Sequence, residues 1–376
     1  MAVADAKIAR LRAALAHVEG DGVPVGEFFW TGFLNRAKHK WGEDFDAYRH
    51  FDLDYIVVNP NMDPIIRPFE VIAQSGDDIT VRTGFGATIR RSGDLPMPSF
   101  EAFSVNRPEE MADFAFDAPD DRRRFFQGGD DQLNCVGDAL ARDIPSWLDR
   151  LTPYVEDFAV FGSICEPWEY LWRIVGSENA MEWLVTAPDE TAAFIDRIGH
   201  HMLAMCRAEI AAGAGKLAGM YIWGDVAYGK GMLFGARRWR RLLKPHVRAL
   251  IELCHGAGLM VIYHGCGNAS DILEDMVEIG LDAYNPLEAK AGLDVVALKR
   301  TFAGRLAFCG NIDVRVLESG DPAAIRAEVM RKLRAAVGGG WVFQSDHSVS
   351  SSVMPESYEL ALRTLRTHGA YPLVIG

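Results

Sequence analysis

The chain has 376 residues, 49% of them hydrophobic and 24% charged, with a formal net charge of −13 at pH 7; that length suits one large α/β domain or two ordinary ones. The only dense basic clusters are residues 122–124 and 237–241, the latter read as a solvated helix face, so a nucleic-acid partner is excluded from the expectation. No apolar run approaches the ~20 residues that span a bilayer, so no membrane role is expected.

Residues 1–19 form an Ala-rich amphipathic pattern with charges throughout. That predicts a first helix and lacks the apolar core and cleavage site of a secretory signal. The six cysteines (Cys135, Cys165, Cys206, Cys254, Cys266 and Cys309) are scattered, which is no disulfide framework for so long a chain, and a reducing cytoplasm is the expected compartment. Residues 24–46 mix aromatic and basic side chains and read as short helices, making 1–53 an N-terminal helical extension. The first convincing strand is Asp54-Tyr-Ile-Val-Val-Asn59. Alternating runs at 69–75, 79–83 and 87–91, with turn signals at 76–78 and 84–86, predict an antiparallel meander inserted within 65–95. Residues 96–130 are loop-rich and acidic, with a short helix near 108–114.

Beyond that point short apolar strands alternate with helical periodicity. The expected strands are 157–161, 219–223, 260–263, 283–285, 306–309 and 341–344. The expected helices are 191–212, 236–257, 269–279, 295–301, 322–336 and 355–367. With 54–58 this gives seven strands, and an eighth is expected near 139–151 or as an irregular segment. Alternation of this kind implies parallel strands and right-handed crossovers. The predicted fold is a (β/α)8 TIM barrel with an N-terminal helical and β-meander elaboration, one domain over 1–376. An open doubly wound sheet is the alternative, but no Gly-x-Gly-x-x-Gly follows the first strand.

In a barrel the residues past each strand's C-terminal end gather at one mouth. By that rule the strands deliver Gly162, Ser163 and Cys165; Trp223, Gly224 and Asp225; His264 and Cys266; Asn285 and Glu288; Cys309, Asn311 and Asp313; and Ser345, Asp346 and His347. His264 and Cys266, two residues apart at a strand end, point to the same side, and the glycines around them permit close approach of a ligand. They are half of a zinc site or part of an active-site floor. Asp225 is an acid, a base or a helix cap. Glu288 is a site residue or a surface partner of Lys290. Asp346 orients His347 or holds substrate, and Asp313 could equally cap a helix. Cys165 reads as packing and the His200-His201 pair as a helix face. Trp223 and Tyr228 suit an apolar substrate pocket, whereas Trp168 and Trp172 sit at helical spacing and read as core.

The runs Tyr263-His-Gly-Cys-Gly-Asn268, Ile279-Gly-Leu-Asp-Ala-Tyr-Asn-Pro-Leu-Glu288, Phe308-Cys-Gly-Asn-Ile-Asp313 and Gly338-Gly-Gly-Trp-Val-Phe-Gln-Ser-Asp-His347 resemble the uroporphyrinogen decarboxylase superfamily over about 157–369. The resemblance implies a (β/α)8 barrel. It also implies one of two activities: cofactor-free decarboxylation of a porphyrinogen, or zinc-dependent methyl transfer between corrinoid proteins and thiols or related acceptors. The Arg-rich N-terminal signature of the decarboxylases is missing, and Asn59-Pro-Asn-Met-Asp-Pro64 follows the first strand instead. The His-x-Cys pair of the methyltransferase branch is present as His264 and Cys266. Its distant Cys is replaced by Ser345-Asp346-His347, so either the third ligand is His347, Cys309 or Glu288, or there is no metal.

The expectation is therefore a methyltransferase with zinc on His264, Cys266 and His347. Asp225, His347 and Glu288 would be catalytic, and Trp223, Tyr228, Asn285 and Asp346 would bind substrate. A small methylated compound would be donor or acceptor. Cobalamin would come on a separate corrinoid protein, since no corrinoid-binding domain is visible, and a homodimer is expected. The alternatives are a decarboxylase in which Asp225 stabilises a cationic intermediate and His347 supplies a proton, and a non-catalytic small-molecule or corrinoid-binding protein.

Overall fold

The computed structural model describes residues 3–67, 69–76, 78–91, 98–126 and 147–374. Strand β1 (Tyr55–Val57) is followed by β2 (Glu70–Ser75), β3 (Asp78–Arg82), β4 (Thr88–Arg91) and β5 (Ser99–Ala102), which make the expected meander with one strand more. Then come β6 (Ala159–Cys165), β7 (Gly219–Trp223), a hairpin of β8 (Ala227–Tyr228) and β9 (Gly231–Met232), β10 (Met260–His264), β11 (Ala283–Asn285), β12 (Ala307–Cys309) and β13 (Trp341–Val342). Seven of these form a parallel sheet in the order β1-β6-β7-β10-β11-β12-β13, which is also their order in the chain.

Alternate residues of each strand go to opposite faces. Tyr55, Phe161, Tyr221, Ile262, Cys309 and Val342 pack together on one face as an enclosed cluster, while Ile56, Val160, Ile222, Val261 and Tyr284 pack under the helices. A sheet whose inner residues meet one another must curl. The helix Val3–Leu15 sends Leu11 and Leu15 into that inner cluster, and Phe28 and Trp223 pack against it.

The sheet's two edges are linked by residues 24–26. Phe343 N–H donates to Pro24 C=O at 2.9 Å and Gly26 N–H to Phe343 C=O at 3.0 Å; on the other side Asp54 N–H donates to Val25 C=O at 2.7 Å. The Asp54 carboxylate accepts from Val25 N–H at 2.7 Å and pairs with Arg10. The eighth element was expected near 139–151, a range described only from Trp147 onward. Trp147–Leu151 is a short helix, and residues 139–146, like Cys135, lie outside the described residues. The stretch 24–46 is helical only from Thr31 (Thr31–Trp41); ahead of it the main chain is committed to the two sheet edges.

Other boundaries moved for local reasons. β6 begins later than 157–161 and runs on to Cys165, so Gly162, Ser163 and Cys165 lie within a fully buried strand instead of past its end. The helix expected over 236–257 is two, Ala236–Leu242 and Lys244–Gly256, because Pro245 cannot continue the first. Two unanticipated helices, Pro167–Val175 and Ser177–Thr186, meet at Gly176, whose φ of +91° suits glycine. No helix among the described residues is long and apolar enough to cross a membrane.

Candidate active site

The strand register sets Trp223, His264 and Asn285 side by side on β7, β10 and β11. The loops leaving these strands are tied to one another. Gly224 N–H donates to His264 C=O at 2.8 Å and Gly265 N–H to Asn285 C=O at 2.9 Å. The Tyr263 and Tyr284 hydroxyls donate to Gly224 C=O (3.1 Å) and Gly265 C=O (3.2 Å). Gly267, at φ +78°, lies so close to the β8–β9 hairpin that a Cβ there would sit 2.6 Å from the Tyr228 main chain. Asn268 N–H donates to Tyr228 C=O across the same contact. The His-Gly-Cys-Gly turn is thus clamped on both sides.

Around this turn five potential ligand side chains converge. Cys266 Sγ lies 3.3 Å from His264 Nε2, and Asp225 Oδ1 lies 3.7 Å from the same nitrogen while accepting Cys266 N–H at 2.8 Å. One ligand atom each from Asp225, His264 and Cys266 lies within 4.8 Å of the others; the same holds for Cys266, Glu288 and His347. Cys266 is the shared member, and the expected zinc set of His264, Cys266 and His347 is split between the two groups. Glu288 is buried, with Lys290 Nζ 3.4 Å from its carboxylate, so the expected surface pair has one buried partner. Asp225 remains about half exposed.

Burial, reinforced by Asp225 and Glu288, pushes the Cys266 thiol well above its ordinary pKa. Burial and the neighbouring His264 ring lower that of His347 and keep its imidazole neutral. A thiol between carboxylates is a poor thiolate until a cation joins them, and a divalent metal reverses that balance. Two imidazoles, a thiol and carboxylates are the N/S/O mixture that zinc takes. The donors present fit such an ion.

Other expected site residues have different surroundings. Asn285 is fully buried. Its Oδ1 lies 2.6 Å from both Tyr221 OH and His264 Nδ1, and its Nδ2 reaches Cys309 C=O and Gln344 Oε1. With its whole amide committed it underlies the site, where substrate contact had been expected. Asp346 likewise spends its carboxylate on two loop N–H groups, Ala289 at 2.9 Å and Val314 at 2.9 Å, and burial raises its pKa to about 6. It pins these two loops, and among the described residues no hydrogen bond joins it to His347. Cys309 is fully buried in β12 and belongs to neither ligand group. Asp313 caps the helix Val314–Ser319. Trp223 packs 5.0 Å from the His264 ring, while Tyr228 stands exposed on the hairpin.

Three residues of the N-terminal segment reach the site without any signal in the sequence. Phe28 packs against Tyr221 and Trp223 at 5.4 and 5.5 Å, and Trp30 meets the His347 ring edge-on at 5.7 Å. Glu27 is buried and accepts from Ser345 N–H (2.9 Å), Ser345 Oγ (2.8 Å) and Phe28 N–H (3.0 Å), joining this segment to the loop of His347; burial lifts its pKa to about 8. From the helix after β6, Glu169 accepts Asp225 N–H at 2.8 Å and pairs with Arg173 at 2.8 Å, which fixes the Asp225 loop.

Residues 146–368, more than half of the chain, match the family model described as uroporphyrinogen decarboxylase (URO-D). Uroporphyrinogen decarboxylases from two strains of Thermus thermophilus are 33% and 32% identical over 131 residues. Those stretches take in 33% of this chain and 34% of each relative, so the match spans about a third of their length. Among solved structures, a methyltransferase from Methanosarcina mazei superposes with a TM-score of 0.65 over 96% of this chain and 98% of its own, at 17% identity, which speaks to the fold.

Proposed function

The chain belongs to the uroporphyrinogen decarboxylase family, and from that premise we propose that it is a methyltransferase whose mouth holds a zinc ion. On this reading the curled parallel sheet and the bridging segment 24–26 make up a (β/α)8 barrel, and the ligand cluster sits at the C-terminal mouth where such barrels carry their chemistry. The carrying observation is a pair of ligand groups that share Cys266, one with Asp225 and His264 and the other with Glu288 and His347, drawn from four separate stretches of chain.

His264 and Cys266 would hold the metal, with His347 and Glu288 completing the set. A zinc ion there supplies Lewis acidity, lowering the pKa of a bound thiol or hydroxyl acceptor to make it a nucleophile. Half-exposed Asp225, fixed through its main chain by Glu169, is placed to take the acceptor's proton. Phe28, Trp30 and Trp223 would line the approach with aromatic surface, with exposed Tyr228 on the hairpin beside them. The methyl group would pass between a small methylated compound or a corrinoid, the latter free or carried on a partner protein, and that zinc-activated acceptor.

The test is metal analysis of freshly purified protein, an absorbance scan for bound cobalamin, and transfer of labelled methyl from methylcobalamin to a thiol. Zinc near one per chain, lost in Cys266→Ser together with methyl transfer, is the expected result. A metal-free protein with full transfer activity overturns the proposal. The 33% identity to bacterial decarboxylases favours a second reading, cofactor-free decarboxylation with Asp225 facing a cationic intermediate and His347 supplying the proton. Carbon dioxide release from a porphyrinogen by chelator-treated protein would establish it. Unchanged ligand affinity in Asp225→Ala and His264→Ala, with no turnover of either kind, would leave a binding protein.

A further inference from the structure

The buried polar side chains inside the curled sheet include Tyr55 on β1, Tyr221 on β7, Asn285 on β11 and Gln344 just past β13, none more than 1% exposed. Their hydrogen bonds admit one consistent arrangement. The Cys309 main-chain oxygen has no hydrogen to give, so the Asn285 atom that meets it at 3.2 Å must be the amide nitrogen. The same nitrogen donates to Gln344 Oε1 at 2.9 Å, and that oxygen also accepts from Tyr55 OH at 2.9 Å. Asn285 Oδ1 is therefore turned toward Tyr221 OH and His264 Nδ1, each 2.6 Å away.

An amide oxygen only accepts. His264 Nδ1 must then carry the ring proton, and in a neutral imidazole this leaves the lone pair on Nε2. Nε2 is the nitrogen that faces Cys266 Sγ at 3.3 Å. The opposite tautomer would set a nitrogen lone pair against a buried oxygen at 2.6 Å and leave that oxygen only Tyr221 as a donor. Flipping Asn285 instead would press its oxygen on Cys309 C=O and Gln344 Oε1.

We infer that the buried chain Tyr55–Gln344–Asn285 positions His264: it locks the ring in its Nδ1-protonated form and so reserves Nε2 for a metal ion. Only the last clause rests on the zinc reading, because the tautomer belongs to the metal-free protein. Asn285 is a positioning residue, acting through His264 on whatever the site binds.

Two-bond 15N–1H correlation of the histidine rings in metal-free protein reads the tautomer, and competition with a chromogenic chelator reads zinc affinity. The wild type is expected to show His264 as Nδ1–H. Asn285→Ala should mix the tautomers and weaken zinc by ~10–100-fold. Asn285→Asp keeps an oxygen toward the ring and, with its second oxygen protonated toward Cys309 C=O or Gln344 Oε1, should retain the wild-type tautomer and more of the zinc affinity than Asn285→Ala. A wild-type ring protonated on Nε2 overturns the inference, and that spectrum requires no variant to fold. So does an Asn285→Ala protein with unchanged tautomer and zinc affinity. A wild type that shows Nδ1–H and binds no zinc would sink the metal reading while the positioning by Asn285 stands.

Discussion

On the zinc reading, the identity of the third ligand turns on where individual side chains point. Cys309 was an expected candidate because cysteine is zinc's preferred donor, yet its thiol faces the closed interior of the sheet, and burial raises its pKa far above the ordinary thiol range. His347 shares a ligand group with Cys266 and Glu288. Cys309→Ala should therefore leave zinc stoichiometry unchanged and lower stability by about 1 kcal/mol for the small cavity, whereas His347→Ala should weaken zinc by chelator competition. The reverse pattern would return the ligand role to Cys309. Glu27 makes a second residue-scale prediction, set by its pKa of about 8 against 4.5 in its ordinary state. Burial is the leading cause; Ser345, the Phe28 N–H, Tyr358 on the last helix and Tyr55 on β1 face it. Between those two values the folded protein keeps a proton that the unfolded chain has lost. Stability contributed at low pH is thus lost as pH climbs toward 8, and the loss is complete above it. Glu27→Gln, which cannot titrate, should flatten that part of the curve. In urea unfolding at pH 5 and pH 8, the wild type should lose a few kcal/mol more than the variant; equal losses would remove Glu27 as the cause.

At the scale of elements, the site is a set of strand ends held in register by loops that brace each other. The His-x-Cys turn depends on Gly267, whose positive φ and closeness to Tyr228 leave no room for a side chain. Gly267→Val should cost about 1–3 kcal/mol in backbone strain and displace the hairpin. It should also weaken zinc binding in a protein that still folds, as read by thermal melts and chelator competition; wild-type affinity would show that the clamp is dispensable. These strand ends were legible in the sequence. Apolar runs ending in His264, Asn285 and Trp223 announce where β10, β11 and β7 stop, and the barrel rule brings their loops together. What was not legible is which side chain faces in. Asn285 and Asp346 occupy strand-end positions like those of His264 and His347, yet groups far away in sequence consume their polar atoms: three side chains and one carbonyl for Asn285, two main-chain N–H groups for Asp346. Periodicity places a residue at a strand end, but it carries no information about a carbonyl 24 positions away. The length of β6 was misjudged for a related reason. Gly162 and Ser163 look like a turn, but Ser163 N–H and Oγ are satisfied within the core by Glu209 and Asn59.

For the whole molecule, the N-terminal segment does two things that composition could not reveal: it links the first and last parallel strands, and it carries Phe28 and Trp30 to the mouth. A short extended piece made only of Pro24, Val25 and Gly26 pairings has too little pattern to register as a strand, while the aromatic residues after it favour a helical reading. Gly26 tests whether this linkage holds the molecule together. It donates to Phe343, and a Cβ on it would lie 2.0 Å from the Tyr55 ring. That ring is buried in the sheet interior and hydrogen-bonded to Gln344, so it has no vacant space to enter. Gly26→Ala should therefore push the segment away from β1, destabilise the fold by about 1–3 kcal/mol through overpacking, and disturb the Tyr55–Gln344–Asn285 chain enough to weaken zinc binding. Gly256→Ala is the matched control: it lies at the end of a helix with nothing within 4 Å of the added carbon, so it should be neutral or slightly stabilising. A lowered melting temperature and lowered zinc affinity in Gly26→Ala alone would show that the N-terminal segment couples closure of the sheet to the site. Equal melting temperatures for the two variants would mean that residues 24–26 lie against the sheet edges without holding them.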